Sequence, residues 1–156
     1  VAGRLQPRRF GEVEVIDDSY NANPDSLRAA VDLLCSLPAK RRVAIVASMG
    51  ELGAFSEQFH RESGFMMAKA GIDLLIAAGP ATVALAEAGA TGSARIRVHY
   101  FPSVAAILPR LADLIQAGDL VLVKGSRAAH LEKVVGRLER IFGRRGRKAS
   151  SERRDA

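Results

Sequence analysis

The chain has 156 residues, 48% of them apolar, and a formal net charge of +6. That length fits one domain, or at most two very small ones, with apolar content enough for a sizeable core. No apolar run approaches the roughly 20 residues that span a bilayer, and a single cysteine, Cys35, excludes an internal disulfide and fits a reducing compartment.

The elements follow a βα rhythm. Leu5 to Arg9, a turn near Gly11 and residues 12–17 read as a hairpin, with Val13-Glu14-Val15-Ile16-Asp17 its second strand. Pro24 to Leu37 reads as a helix, with Asn23 as N-cap and Pro24 in the first turn. Cys35, near its end among Leu33, Leu34 and Leu37, reads as a small buried hydrophobe. Arg42 to Ala47 is the next strand. Phe55 to Ala70 is helical, with Ser56 as cap and Gly71 as stop, and its stretch Glu57-Gln58-Phe59-His60-Arg61-Glu62 reads as a solvated face. Asp73 to Ala78 is a nearly all-apolar strand, and Pro80 to Ala88 a helix ended by Gly89. Arg95 to Phe101 alternates polar and apolar, as a strand nearer an edge does. Ser103 to Gln116 is helical but split by Pro109, Asp119 to Lys124 is another strand, and Ala128 to Phe142 is an amphipathic helix.

The expected fold is therefore α/β: a Rossmann-like three-layer domain over residues 1–142, with a mostly parallel sheet of about six strands, one antiparallel edge strand, and helices on both faces. Residues 143–156 read as a disordered basic tail that carries +4 of the +6. Without that tail the domain is nearly neutral. Only 5% of residues are aromatic and none interleave with the basic ones, so nucleic acid is not expected as a partner. Val1-Ala2-Gly3-Arg4 does not read as a signal peptide, and a first residue other than Met is expected of a fragment or a trimmed chain.

In open parallel sheets, ligands bind beyond the carboxyl ends of the strands. The loops there are the least ordinary parts of this sequence. Asp17 to Ser26 packs carboxylates, amides and hydroxyls suited to ribose hydroxyls or to base edges, although turn and capping chemistry explains Asn23, Pro24 and Asp25 as well. Ser48-Met49-Gly50-Glu51-Leu52-Gly53 reads as a tight turn. Gly79-Pro80 reads as a βα turn. Lys124-Gly125-Ser126-Arg127 places two cations at the edge, suited to a carboxylate or phosphate, or to a salt bridge with Asp17 or Asp18. No glycine-rich phosphate loop opens any helix, so a complete catalytic site is not expected in this chain. His60, His99 and His130 lack metal-ligand spacing, and no metal site is expected.

Three stretches together resemble a known family. Asp17-Asp18-Ser19-Tyr20-Asn21-Ala22-Asn23-Pro24-Asp25-Ser26, Met49-Gly50-Glu51-Leu52-Gly53 with His60 downstream, and Val123-Lys124-Gly125-Ser126-Arg127 are similar to the C-terminal domain of Mur ligases. The likeness is to the branch that adds D-alanyl-D-alanine to UDP-N-acetylmuramoyl-tripeptide in bacterial peptidoglycan synthesis. It runs from about residue 3 to about residue 142, with Gly3-Arg4-Leu5 resembling the junction with the central domain. The resemblance implies a cytoplasmic, ATP-dependent, C–N-bond-forming ligase whose N-terminal and central domains bind the UDP-sugar, ATP and Mg2+. It implies ATP-binding roles for Arg4, Asp18, Ser19, Tyr20 and Asn21, with Asp18 on the ribose and Arg4 near the phosphates. It implies substrate-binding roles for Asn23, Lys124, Ser126 and Arg127, near the dipeptide. Two departures stand out: Ala47-Ser48 where the family has Gly-Asp, and Ala128-Ala129 where it has Gly-Met. Another Mur ligase or a folylpolyglutamate-type ligase would keep this architecture with different acceptor loops. A non-catalytic module that holds acidic polymers or membranes through the tail is the reading from a different class.

Overall fold

A computed structural model describes the backbone of residues 2–152 and the side chains of residues 2–143. Six strands form one sheet: β1 (Gln6–Phe10), β2 (Val13–Asp18), β3 (Arg41–Ala47), β4 (Leu74–Ala78), β5 (Arg97–Phe101) and β6 (Asp119–Lys124). Their order across the sheet is β1-β2-β6-β3-β4-β5. Only the β1–β2 pair is antiparallel. The expected hairpin edge and parallel body are both present.

Helices cover both faces because the strands are apolar on both. Alternate residues of each strand feed two separate cores. Val13, Val15, Val43, Ile45, Ile76, Val121 and Val123 pack against α4 (Val104–Ile107), α5 (Leu111–Leu114) and α6 (Glu132–Glu152). Ile16, Ala44, Val46, Leu75, Leu120 and Leu122 pack against α1 (Pro24–Ser36), α2 (Ser56–Lys69) and α3 (Val83–Gly92). The chain steps outward from β3 to β5 with helices on one face, then returns under the other face to insert β6 between β2 and β3. That insertion creates the topological switch point where such sheets bind ligands.

Local signals explain several helix ends. Asn23 caps α1 in a reciprocal box with Ser26, and Ser103 caps α4 by accepting from the Ala106 amide. Pro109 splits the 103–116 segment into two four-residue helices around a 3-10 turn.

Four boundaries differ from the sequence reading. Gly89 does not stop α3, which runs to Gly92; a Cβ on Gly89 would lie 2.9 Å from Leu75 Cδ2, so the glycine serves close helix–sheet packing. Ser56 is the first residue of α2, not its cap, because its hydroxyl faces His60 Nδ1 at 3.3 Å. The last helix starts at Glu132 after a 3-10 turn over Arg127–Ala129 and a left-handed His130. It continues in the backbone to Glu152, where a disordered tail was expected. Arg144, Arg145, Arg147, Lys148 and Ala149 favour helix against Gly143 and Gly146, and no proline interrupts them. Residues 153–156 lie outside the described residues. Among the described residues, no helix is long and apolar enough to cross a membrane.

Candidate functional site

The insertion of β6 brings the loops after β2, β3 and β6 side by side. Register then fixes a specific pair: Asp18 and Lys124 lie directly opposite each other on neighbouring parallel strands. Lys124 Nζ donates to Asp18 Oδ2 at 2.5 Å and to the Asn21 carbonyl at 2.9 Å. Lys124 is only 2% exposed, so this charge pair is withdrawn from water almost entirely. The salt bridge anticipated across this edge is thus present, between Lys124 and Asp18. Arg127 goes elsewhere.

The segment before β1 closes over the same loop. Gly3 adopts φ +75°, and a Cβ there would meet Ser19 Oγ at 3.0 Å, so only glycine fits this crossing comfortably. The Tyr20 amide donates to the Gly3 carbonyl at 2.9 Å, and the Leu5 amide donates to Asp18 Oδ1 at 3.1 Å. Leu5 itself sits at φ +44°, a strained position for a branched residue that these bonds hold in place. Both oxygens of Asp18 are therefore oriented, one by a buried ammonium and one by a backbone amide.

This lacing sets out an exposed cationic clasp. The Arg4 guanidinium lies 4.6 Å from the centre of the Tyr20 ring, and that of Arg127 lies 5.1 Å from it. Arg127 Nη1 also donates to the Tyr20 hydroxyl at 3.0 Å. Each exposed cation–π contact contributes about 0.5–1 kcal/mol, enough to hold two long side chains near one orientation while their charges face solvent. Asp17 turns to the opposite face of the sheet. It accepts from Ser19 Oγ at 2.6 Å and pairs loosely with Arg8, which also reaches Glu139 on α6. Ser19, Tyr20 and Arg127 line a cleft of about 450 Å³ shared with Arg8, Asp17 and Val135.

Of the residues named from sequence, Arg4, Asp18, Ser19, Tyr20, Asn21, Lys124, Ser126 and Arg127 converge on this edge. Asn23 lies one turn away with its side chain engaged in the α1 cap. Ser126 is buried and joins the loop after β3: its amide donates to the Ser48 carbonyl at 2.8 Å, and the two hydroxyls lie 3.4 Å apart. His60, which follows the Met49–Gly53 stretch and was expected on a solvated face, is fully buried. The signal was present as the helical set His60, Ser63, Gly64, Met67 and Ala68, all buried. Among the described residues, no three His, Cys, Asp or Glu side chains stand together to hold a metal ion.

Residues 3–127 match the family model described as Mur ligase, glutamate ligase domain. The chain belongs to the Mur ligase family. This Mur ligase domain is 39% identical over 142 residues to the UDP-N-acetylmuramoyl-tripeptide–D-alanyl-D-alanine ligase of Escherichia coli, covering 89% of the chain and 30% of that relative. Among solved structures, it is similar to MurF from Acinetobacter baumannii (TM-score 0.81, 33% identity, 90% of this chain and 31% of that one). It is also similar to MurF ligase from Thermotoga maritima in complex with ADP (TM-score 0.76, 29% identity, 93% of this chain and 32% of that one). The domain spans about 30% of the length of the curated relatives it matches.

Proposed function

We propose that this domain is the C-terminal part of an ATP-dependent ligase that joins D-alanyl-D-alanine to UDP-N-acetylmuramoyl-tripeptide. The observation that carries the reading is the convergence of the loops after β2, β3 and β6 on one edge, built around Asp18 and lacking any phosphate loop. Such an edge is one wall of a cleft. The own N-terminal and central domains of the full-length enzyme supply the other wall, and with it the Mg2+ and most of the grip on ATP. The location that goes with this role is cytoplasmic.

In the complete enzyme, the tripeptide carboxylate takes the γ-phosphoryl group of ATP to give an acyl phosphate and ADP. The dipeptide amine then attacks the acyl carbon and expels phosphate. The residues here orient and neutralise rather than react. Asp18, with its carboxylate fixed by Lys124 and the Leu5 amide, accepts from the ribose hydroxyls. Arg4 faces the phosphates from the segment ahead of β1, and Ser19, Tyr20 and Asn21 line the nucleotide side. Asn23, Lys124, Ser126 and Arg127 belong to the dipeptide side. Lys124 acts there through Asp18, whereas exposed Arg127 is the cation free to meet the dipeptide carboxylate in a bidentate pair.

Replacing Asp18 by Ala in the full-length ligase removes a charge-assisted hydrogen bond worth about 1.5–3 kcal/mol. The expected result is an increase in KM for ATP of roughly 10- to 100-fold. Thermal unfolding of this variant, beside that of Asp18→Asn combined with Lys124→Met, which removes both buried charges, checks that the loss is not a folding defect. Ligation at the wild-type rate and KM by a folded Asp18→Ala enzyme would rule the assignment out.

A further inference from the structure

The buried imidazole of His60 has no part in the ligand contacts assigned above, yet both of its nitrogens are committed. Nδ1 lies 2.7 Å from the Ser56 carbonyl, an acceptor only, so Nδ1 carries the proton. Nε2 then accepts, and the Met49 amide donates to it at 3.0 Å. This arrangement exists only for the neutral ring: a protonated Nε2 would confront the Met49 N–H donor to donor.

The bond has leverage. Met49 is the second residue of the loop after β3, where Glu51 and Gly53 both take left-handed backbone at φ +59° and φ +54°. A non-glycine residue held there costs about 1–3 kcal/mol, and the loop keeps the shape only while its surroundings impose it. One residue earlier, the Ser48 carbonyl accepts from the Ser126 amide. The path from His60 to the turn that carries Arg127 is thus two hydrogen bonds long.

We propose that neutral His60 is a positioning residue of the site, fixing the Met49–Gly53 loop and, through the Ser48 carbonyl, the Ser126–Arg127 turn, and that its protonation releases both. The consequence for activity rests on the ligase reading; the coupling itself does not.

Burial pushes the His60 pKa below its ordinary 6.5, with the Ser56 carbonyl opposing more weakly. The charged groups on the elements around it are Glu51 in the loop, Glu57, Arg61, Glu62 and Lys69 on α2, Asp25, Arg28 and Asp32 on α1, and Glu87 on α3. Arg61 is paired with Glu57 at 3.1 Å and more loosely with Glu87, and Glu62 accepts from Gln58. A depressed folded-state value means that the stabilising contribution of His60 is complete above about pH 6.5 and is lost as pH falls toward that depressed value.

The test has two arms. In the 156-residue chain, nitrogen NMR of the ring should show the Nδ1–H tautomer at pH 7. Amide-exchange protection of Met49 and Ser126 should fall together, roughly ten-fold or more, as the ring titrates. His60→Ala should lack both protections at neutral pH. His60→Gln, which can accept from Met49 without titrating, should keep them at every pH. An Nε2–H tautomer, or Ser126 protection that ignores His60→Ala, overturns the proposal. In the full-length ligase, the acidic limb of kcat should be present in wild type and flattened in His60→Gln; an unchanged limb overturns the role in the site. A full-length enzyme that does not ligate D-alanyl-D-alanine at all would overturn the ligase reading and leave the exchange results standing.

Discussion

Lys124→Met is expected to destabilise this domain by about 3–5 kcal/mol, because it leaves the Asp18 carboxylate buried beside an apolar side chain with one backbone amide as its partner. The wild-type pair gains little net energy by itself, since taking two charges out of water offsets most of their attraction. The asymmetry appears when one charge is removed. Lys124→Met combined with Asp18→Asn should therefore recover a large part of the loss, and chemical denaturation of the four species would measure the coupling. Additive losses would show that the two side chains do not depend on each other. The double variant should fold yet remain impaired as a ligase, since the oriented carboxylate is gone. Stability and activity thus separate at this pair.

The second large effect concerns glycines that look alike in sequence. Gly64 lies on α2 where it crosses α3. A Cβ there would meet the Leu85 carbonyl oxygen at 2.2 Å and Ala88 Cβ at 2.8 Å. The first of these is backbone within a helix and cannot turn aside. Gly136 lies on α6 with nothing within 4 Å of the added atom. Glycine to alanine in a helix interior gains about 1 kcal/mol of intrinsic propensity. At Gly136 that gain should appear, with a rise of about 0.5–1 kcal/mol in stability. At Gly64 overpacking should reverse it, for a net loss of about 2 kcal/mol, with Gly64→Val worse. Thermal unfolding of the two alanine variants should move in opposite directions; a gain at Gly64 would mean that α2 and α3 are not packed as described.

The strands were legible because each is a short apolar run bounded by turn residues, and burial on both sheet faces demands that composition. The hairpin, the capping residue Asn23 and the break at Pro109 were legible for equally local reasons. Strand order was not. Nothing in residues 119–124 says that β6 enters between β2 and β3, yet this insertion makes neighbours of three motifs far apart in the chain. The pairing of Asp18 with Lys124 was anticipated only as one possibility, since it depends on register between strands 106 residues apart. Gly89 was misread as a stop because the same residue type serves helix ends and close packing, and only the position of Leu75 decides between them. His60 was hidden by its neighbours: Glu57, Arg61 and Glu62 gave the stretch a solvated appearance, while the buried face showed only at helical spacing.

Which amine the complete ligase uses decides whether this edge serves the dipeptide. The full-length enzyme, given ATP, magnesium and UDP-N-acetylmuramoyl-tripeptide, should be offered D-alanyl-D-alanine, L-alanine, D-glutamate and a diamino acid in parallel, with phosphate release and product mass as readouts. Product with D-alanyl-D-alanine alone, weakened by Arg127→Ala chiefly in KM for the dipeptide, is the predicted result. Efficient ligation of one of the free amino acids in its place would contradict the assignment of this edge to the dipeptide and would make the domain that of a different ligase on the same fold.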